Sequence, residues 1–353
     1  MPTFVCLKFL KAMLYFDTDY MAGAHPRIIE RLSATNLEMT PGYGNDAYTA
    51  RAKELILREA GIPQGEVHFL VGGTQTNATV IDALLAHHEG VIAAESSHVN
   101  VHEAGAIEAS GHKVLVVPSH DGKVDAGKVD HLITEFYKDA TWQHMVAPGM
   151  VYISQPTELG TLYTKSELEA LHEVCRRHEI PLYVDGARLG YGLAGEDNDV
   201  SLKDLARLCD VFYIGGTKVG TLFGEAVVAT RKGLLPHFFT LVKQHGALLA
   251  KGRLLGVQFA TLFEDGLYFE MGQHAVRLAL KLKEAFRARG YELFMDSPTN
   301  QQFVRLDNAK MDELRKEASF ENWGPRGEHS TVVRLVTSWA TREEDVDRLI
   351  SLL

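Results

Sequence analysis

Tyr183-Val184-Asp185-Gly186-Ala187-Arg188-Leu189 and, one apolar run later, Tyr213-Ile214-Gly215-Gly216-Thr217-Lys218-Val219-Gly220 decide how this chain folds. Each begins in a short run that is apolar throughout (Leu182–Val184, Val211–Ile214) and breaks into glycine and polar residues. Short apolar runs without alternation are strands buried on both faces, which implies a parallel or mixed sheet covered by helices. The same unit recurs outward in both directions. Val67–Val71, Val91–Ala94, Val114–Val117, Val151–Ser154 and Ala226–Ala229 read as further strands. Helices are expected over Gln75–His88, over Val99–Ser110 and after Asp125. Another opens at Thr164-Lys165-Ser166-Glu167, a capping box, and runs to about His178. The expected fold class is therefore α/β, with a mixed, mostly parallel sheet between helices.

Beyond residue 230 the pattern changes. Residues 233–262 read as one long amphipathic helix containing Gly246, Gly252 and Gly256. A helix over 272–288, strands near 291–295 and 302–306, a helix over 311–318 and a strand over 332–337 follow. A last helix starts at a second capping-box pattern, Thr341-Arg342-Glu343-Glu344. This divides the chain into an N-terminal segment (1–40), a large domain (41–262) and a small C-terminal α+β domain (263–353).

Composition narrows the function. The 353 residues carry 36 Lys and Arg against 46 Asp and Glu, a formal net charge of −10. Phosphate-backbone binding needs clustered cations, so a nucleic-acid surface is excluded. No run of about 18 apolar residues exists to span a membrane. The apolar start, Met1 to Phe16, is interrupted by Lys8 and Lys11 and reads as a segment packing on the body or on a partner subunit rather than as a signal peptide. Cys6, Cys175 and Cys209 form no CxxC pair and no even framework, which suits free thiols in a reducing, cytoplasmic setting.

Ligands on such sheets bind beyond the carboxyl ends of the strands, so the residues just after each strand matter most. After Val71 comes Gly72-Gly73-Thr74-Gln75, a phosphate cradle or an ordinary tight turn. It matches neither dinucleotide nor P-loop patterns. After Ala94 comes His98; after Val184, Asp185 followed by Arg188; after Ile214, Thr217 and Lys218. Taken singly, the histidine could be structural, the aspartate a cap and the lysine a surface charge. Together they supply what a phosphorylated aldehyde-bearing pyridine cofactor requires: an imine-forming amine, an anion for the ring nitrogen, a stacking ring and an N–H nest. A nucleotide-binding protein would not need the lysine.

These residues stand in Gly72–Asn77, Ser96–Ala106, Tyr183–Leu189, Tyr213–Gly220 and Val333–Thr341. In those motifs and their order the chain resembles the threonine aldolase / aromatic amino acid β-eliminating lyase family of fold-type I pyridoxal-phosphate enzymes, over about Phe16 to Leu353. The resemblance implies that Lys218 forms the imine with the cofactor, Asp185 pairs with the pyridine nitrogen and His98 stacks on the ring. It further implies that Gly73, Thr74 and Gln75 hold the phosphate, that Thr217 adds a hydroxyl, and that Arg188 and Arg334 grip the substrate carboxylate. No metal is implied. Lys251 and Tyr43 match residues that reach a neighbouring subunit's site, and a homodimer or homotetramer with shared sites is expected. The chain departs from the family at two places. Met21 stands where a serine normally helps with the carboxylate. Gln155-Pro156-Thr157-Glu158 replaces a Thr-His-Asn run, so Glu158 either takes over proton handling or bonds locally. The expected activity is cleavage of a β-hydroxy-α-amino acid, such as threonine or allo-threonine, to glycine and an aldehyde, with β-elimination as the alternative. The proton acceptor is His98, Glu158 or an ordered water.

Overall fold

A computed structural model describes residues 13–353. The apolar start up to Ala12, Cys6 included, lies outside the described residues. Seven strands form the central sheet: β1 (Glu66–Leu70), β2 (Glu89–Ala94), β3 (Val114–Val117), β4 (Ala147–Ser154), β5 (Leu182–Asp185), β6 (Val211–Gly215) and β7 (Glu225–Ala229). Their order is β1-β7-β6-β5-β4-β2-β3. All run parallel except β7, which is antiparallel to both β1 and β6.

Successive residues feed two separate cores. Ile92, Ile153, Val184 and Phe212 pack on one face, and Val91, Tyr152, Tyr183 and Tyr213 on the other. That is the physical reason for strands that are apolar throughout. The ends of β5 and β6 approach so closely that side chains do not fit: a Cβ on Gly186 would lie 1.9 Å from the Tyr213 carbonyl oxygen. The turns carrying Asp185 and Lys218 are thereby set side by side.

Four short strands form a second, antiparallel sheet: β8 (Leu293–Met295), β9 (Gln301–Asp307), β10 (Glu321–Asn322) and β11 (Ser330–Val336), in the order β10-β11-β9-β8. The helix Leu267–Ala288 joins the two parts. Its start (Leu267, Tyr268, Met271) lies in the large core, and its end (Leu278, Leu282, Phe286) lies in the small one. Leu14 and Phe16, from the N-terminal segment, also pack in the small core.

Three local expectations are corrected. The helix expected over Val99–Ser110 is two single turns, His98–Val101 and Ala106–Ala109. Ala104 and Gly105, both at positive φ, separate them. The helix expected over 233–262 divides into Phe238–Gln244 and Arg253–Glu264, with Gly246 at positive φ in the break. The box at Thr341 does not cap the last helix: Glu343–Leu352 has Arg342 as its N-cap, and the Thr341 hydroxyl accepts from the Ser338 N–H instead. The box at Thr164 forms as expected. Among the described residues no helix is long and apolar enough to cross a membrane.

Candidate active site

Beyond the carboxyl ends of the parallel strands lies a cavity of about 910 Å³, with Glu321, Asn322 and Arg334 of the small sheet in its wall. β1 runs into Gly72 and the helix Gly73–Leu84, whose first turn has no side-chain cap. A Cβ at Gly72 would meet nothing within 4 Å, and one at Gly73 would lie 3.3 Å from the Tyr213 hydroxyl. Uncapped N–H groups with open space before them form an anion seat. Gly73 and Thr74 line the cavity. The Gln75 side chain is engaged within the protein, accepting from the Val71 N–H at Oε1 (3.4 Å) and donating from Nε2 to the His245 carbonyl (3.0 Å), and Gln75 does not line the cavity.

Asp185 ends β5, almost fully buried. It accepts from the Tyr152 hydroxyl (2.5 Å), Asn77 Nδ2 (2.9 Å) and the Ala187 N–H (2.9 Å), and the Tyr213 hydroxyl adds another bond. Burial alone would raise its pKa. The hydrogen bonds and the nearby His98 outweigh burial and hold the carboxyl below its ordinary value, so it stays an anion. His98, which follows β2, places Nδ1 2.7 Å from Glu103 Oε1, and the same oxygen accepts from Asn77 Nδ2 at 2.7 Å. Burial works against the imidazolium, but Glu103, Glu158 and Asp185 together raise the His98 pKa. Asn77 thus ties the His98 partner to the Asp185 carboxylate.

Lys218 follows β6 and reaches into the cavity. Burial and the Arg188 charge lower its pKa, partly offset by Asp19, Glu158 and Asp185, which favours the neutral, nucleophilic amine. The Thr217 hydroxyl accepts from the Gly224 N–H at 3.0 Å. Glu158, beyond β4, is half-buried and lines the same cavity, with no hydrogen bond to it among the described residues.

The two arginines are not free forks. Arg188 donates from Nε to Asp19 Oδ2 (2.7 Å) and from Nη2 to Asp19 Oδ1 (3.1 Å), with Asp19 wholly buried. Arg334, on β11, donates to Gln301 Oε1 at 3.1 Å and to Glu321, and lies 5.2 Å from the centre of the Trp323 ring. Met21 does not line the cavity and is 53% exposed; Asp19 and Tyr20 occupy that approach instead. Tyr43 and Lys251 are exposed neighbours, with the Tyr43 N–H donating to the Ala250 carbonyl, and neither lines this cavity.

Sequence reasoning missed Asp19, Glu103, Glu225, Glu321 and Trp323. Glu103 stood within a quoted motif, but only the fold shows it beneath His98. Among the described residues no cluster of His, Cys, Asp and Glu is arranged to hold a metal.

The donors fit a phosphorylated pyridine aldehyde: an uncapped helix start, a buried anion held ionised, an imidazole and an amine with a lowered pKa face one cavity. The comparisons agree. Residues 16–309 match the model of the family described as Beta-eliminating lyase. The chain belongs to this β-eliminating lyase family. The chain is similar to the low-specificity L-threonine aldolase of a Pseudomonas species, 29% identical over 95% of each chain. That of Pseudomonas aeruginosa is 29% identical over 85% of this chain and 86% of its own. The solved structure of Leishmania major threonine aldolase superposes with a TM-score of 0.92 at 41% identity, covering 96% of this chain and 98% of that one. Thermus thermophilus aspartate aminotransferase, at 17% identity and a TM-score of 0.70 over 96% of this chain and 90% of its own, shares the fold alone. The protein has the fold-type I architecture and is a pyridoxal-phosphate-dependent lyase.

Proposed function

We propose that the protein is a low-specificity threonine aldolase, cleaving L-threonine, L-allo-threonine and related β-hydroxy-α-amino acids to glycine and an aldehyde. The cavity that gathers Lys218, Asp185, Glu158 and both arginines carries this reading, supported by the likeness to named threonine aldolases. Gly73 and Thr74 would hold the cofactor phosphate, Asp185 the ring nitrogen, His98 the ring face and Lys218 the aldehyde, with Thr217 adding a hydroxyl beside the lysine. When bound, pyridoxal phosphate links covalently to amines and draws electrons from the substrate Cα.

The protein's own residues set which bond breaks. Asp19 fixes the Arg188 guanidinium, and Trp323 and Gln301 fix that of Arg334. Together the arginines hold the substrate carboxylate and so orient the bonds at Cα, a contribution worth several kcal/mol at order of magnitude. Glu158 takes the proton from the β-hydroxyl oxygen. It is a carboxylate of the cavity wall with no hydrogen bond to it among the described residues, whereas His98 is committed through Nδ1 to Glu103. β-Elimination is the second reading, favoured by the family description.

The protein works as a homodimer or a dimer of dimers, with Tyr43, Lys251 and the exposed Leu37 and Met39 on the shared face. We place it in the cytoplasm, on its buried free thiols Cys175 and Cys209.

With threonine, allo-threonine or phenylserine the purified enzyme releases an aldehyde and glycine. Release of a keto acid and ammonia instead would turn the assignment to elimination. Lys218→Ala abolishes the visible absorbance of the cofactor-loaded protein, and a persisting band would remove Lys218 from its role.

A further inference from the structure

Glu225 is a buried acid that the mechanism above does not use. It opens β7, where the register sets it opposite Leu70 on β1 and Gly215 on β6. It therefore sits between the strand that runs into Gly72-Gly73-Thr74 and the strand that runs into Gly216-Thr217-Lys218. It is 3% exposed, and it lines the cavity together with Gly73, Thr74, Thr217 and Lys218.

Its surroundings favour the neutral acid. Oε2 accepts from the Gly216 N–H at 3.1 Å. The Thr217 hydroxyl, which accepts from the Gly224 N–H, directs its own proton to the Glu225 carboxyl. Burial nevertheless pushes the acid up to about 8, Thr217, Lys218 and Gly216 pulling against it and Asp185 adding to it. The other titratable groups facing it are Tyr213 and Tyr183 from the sheet and Tyr268 from the long helix, each raised by burial and hence neutral. From β1 the facing residue is the apolar Leu70. The basic groups of the cavity wall include Lys218, which burial and Arg188 shift toward the neutral amine, His98, whose pKa its acidic neighbours raise, and the two arginines, which are paired with Asp19 and Glu321. An ionised Glu225 beside the anion seat would repel a phosphate dianion in a low-dielectric site.

We propose that Glu225 is a cofactor-binding residue that stays protonated and donates a hydrogen bond to the phosphate of pyridoxal phosphate, so that uptake of phosphate-bearing ligands weakens at alkaline pH. This inference rests on the assignment of the cavity to that cofactor. Above the point where the acid ionises, each phosphate bound takes up one proton from solvent, and the affinity falls as pH rises.

The test uses the full-length protein freed of cofactor. The probe is pyridoxamine 5′-phosphate, which has no aldehyde for Lys218, and unphosphorylated pyridoxamine is the control. The phosphorylated probe's Kd is expected to rise by about tenfold in the wild type between pH 8 and 9.5. In Glu225→Gln, which keeps a donor but cannot ionise, that rise disappears, and pyridoxamine shows no such difference between the two proteins. Parallel pH profiles for wild type and Glu225→Gln overturn the proposal while leaving the cofactor assignment intact. If neither the phosphorylated probe nor pyridoxal phosphate binds the wild type at any pH, the assignment of the cavity falls, and this inference with it. Should Glu225→Gln fail to fold by thermal unfolding, the wild type alone decides: equal pH dependence for the two pyridoxamines overturns the proposal.

Discussion

Arg188 and Arg334 reach one cavity from different parts of the molecule, and their partners differ in kind. Arg188 stands beyond the large sheet, and its partner Asp19 has a side chain that is 0% exposed and also accepts from Asn300 Nδ2. Arg334 comes from the small sheet, and its partner Glu321, directly opposite on the two-residue strand β10, has a side chain that is 43% exposed. A buried pair cannot let go without leaving a charge stranded in low dielectric, whereas a half-exposed carboxylate can swing into water at little cost. The wall formed by the large sheet is therefore fixed before any ligand arrives. The wall formed by the small sheet holds its cation against a carboxylate that a substrate carboxylate can replace.

The sharpest way to break this contrast is to remove each acid. Asp19→Ala leaves the Arg188 guanidinium buried and unpaired, and is expected to lower the unfolding free energy by roughly 3–5 kcal/mol. Glu321→Ala is expected to change it by less than about 1 kcal/mol. Urea unfolding of both variants measures the difference, and equal losses would mean that the two pairs do not differ as described.

A milder variant sharpens the same point through pH. The Asp19 carboxyl is subject to burial, which raises its pKa, but Arg188, Lys218 and Asn300 outweigh that and hold it below its ordinary value. Its folded value thus lies below its unfolded value of about 3.9. The stability it contributes is present above that value and is lost as pH falls through the folded one. The stability gap between wild type and Asp19→Asn should hold steady from pH 7 to about 5 and close below about pH 4, reaching on the order of 1–3 kcal/mol at its widest. A gap unchanged down to pH 3 would show that Asp19 acts through packing rather than charge.

The same contrast explains what could be read from the sequence. The strand ends were legible because a parallel sheet buried on both faces writes each strand as an apolar run, and the residue after each run faces the ligand side. Asp185, Lys218, His98 and the Gly73-Thr74 turn were found in that way, Glu158 only through its departure from the family's pattern, and the structure brings them to one cavity. The acids that hold or modulate them were not legible. Asp19 meets Arg188 across 169 positions, a distance that no local period encodes. Glu225 is the first residue of the antiparallel strand of the central sheet, so a rule that looks past the carboxyl ends of strands passes over it. Glu321 lies on, and Trp323 directly follows, a strand too short to show alternation. The helices misjudged over 99–110 and 233–262 failed for a related reason: helical apolar spacing continued through residues that the backbone uses to turn, marked by positive φ at Ala104, Gly105 and Gly246.

The smallest effect is the most telling about the substrate side. Arg334 Nη1 donates to Gln301 and Nη2 to Glu321, while Nε is buried with no hydrogen-bond partner among the described residues. In the proposed role of Arg334 a substrate carboxylate would take the place that Glu321 holds, and the measured affinity would be reduced by whatever that displacement costs. Glu321→Ala removes the competitor and leaves Gln301 and the Trp323 ring to hold the guanidinium in place. KM for threonine should then fall by about 2–5-fold, a difference under about 1 kcal/mol. The same variant leaves kcat within about twofold, because a carboxylate contact made equally in the ground and transition states changes binding without changing the chemical step. Steady-state aldehyde release measures both constants. A rise in KM would mean that Glu321 orients Arg334 for the substrate instead of competing with it, and the two walls of the site would then be fixed to the same degree.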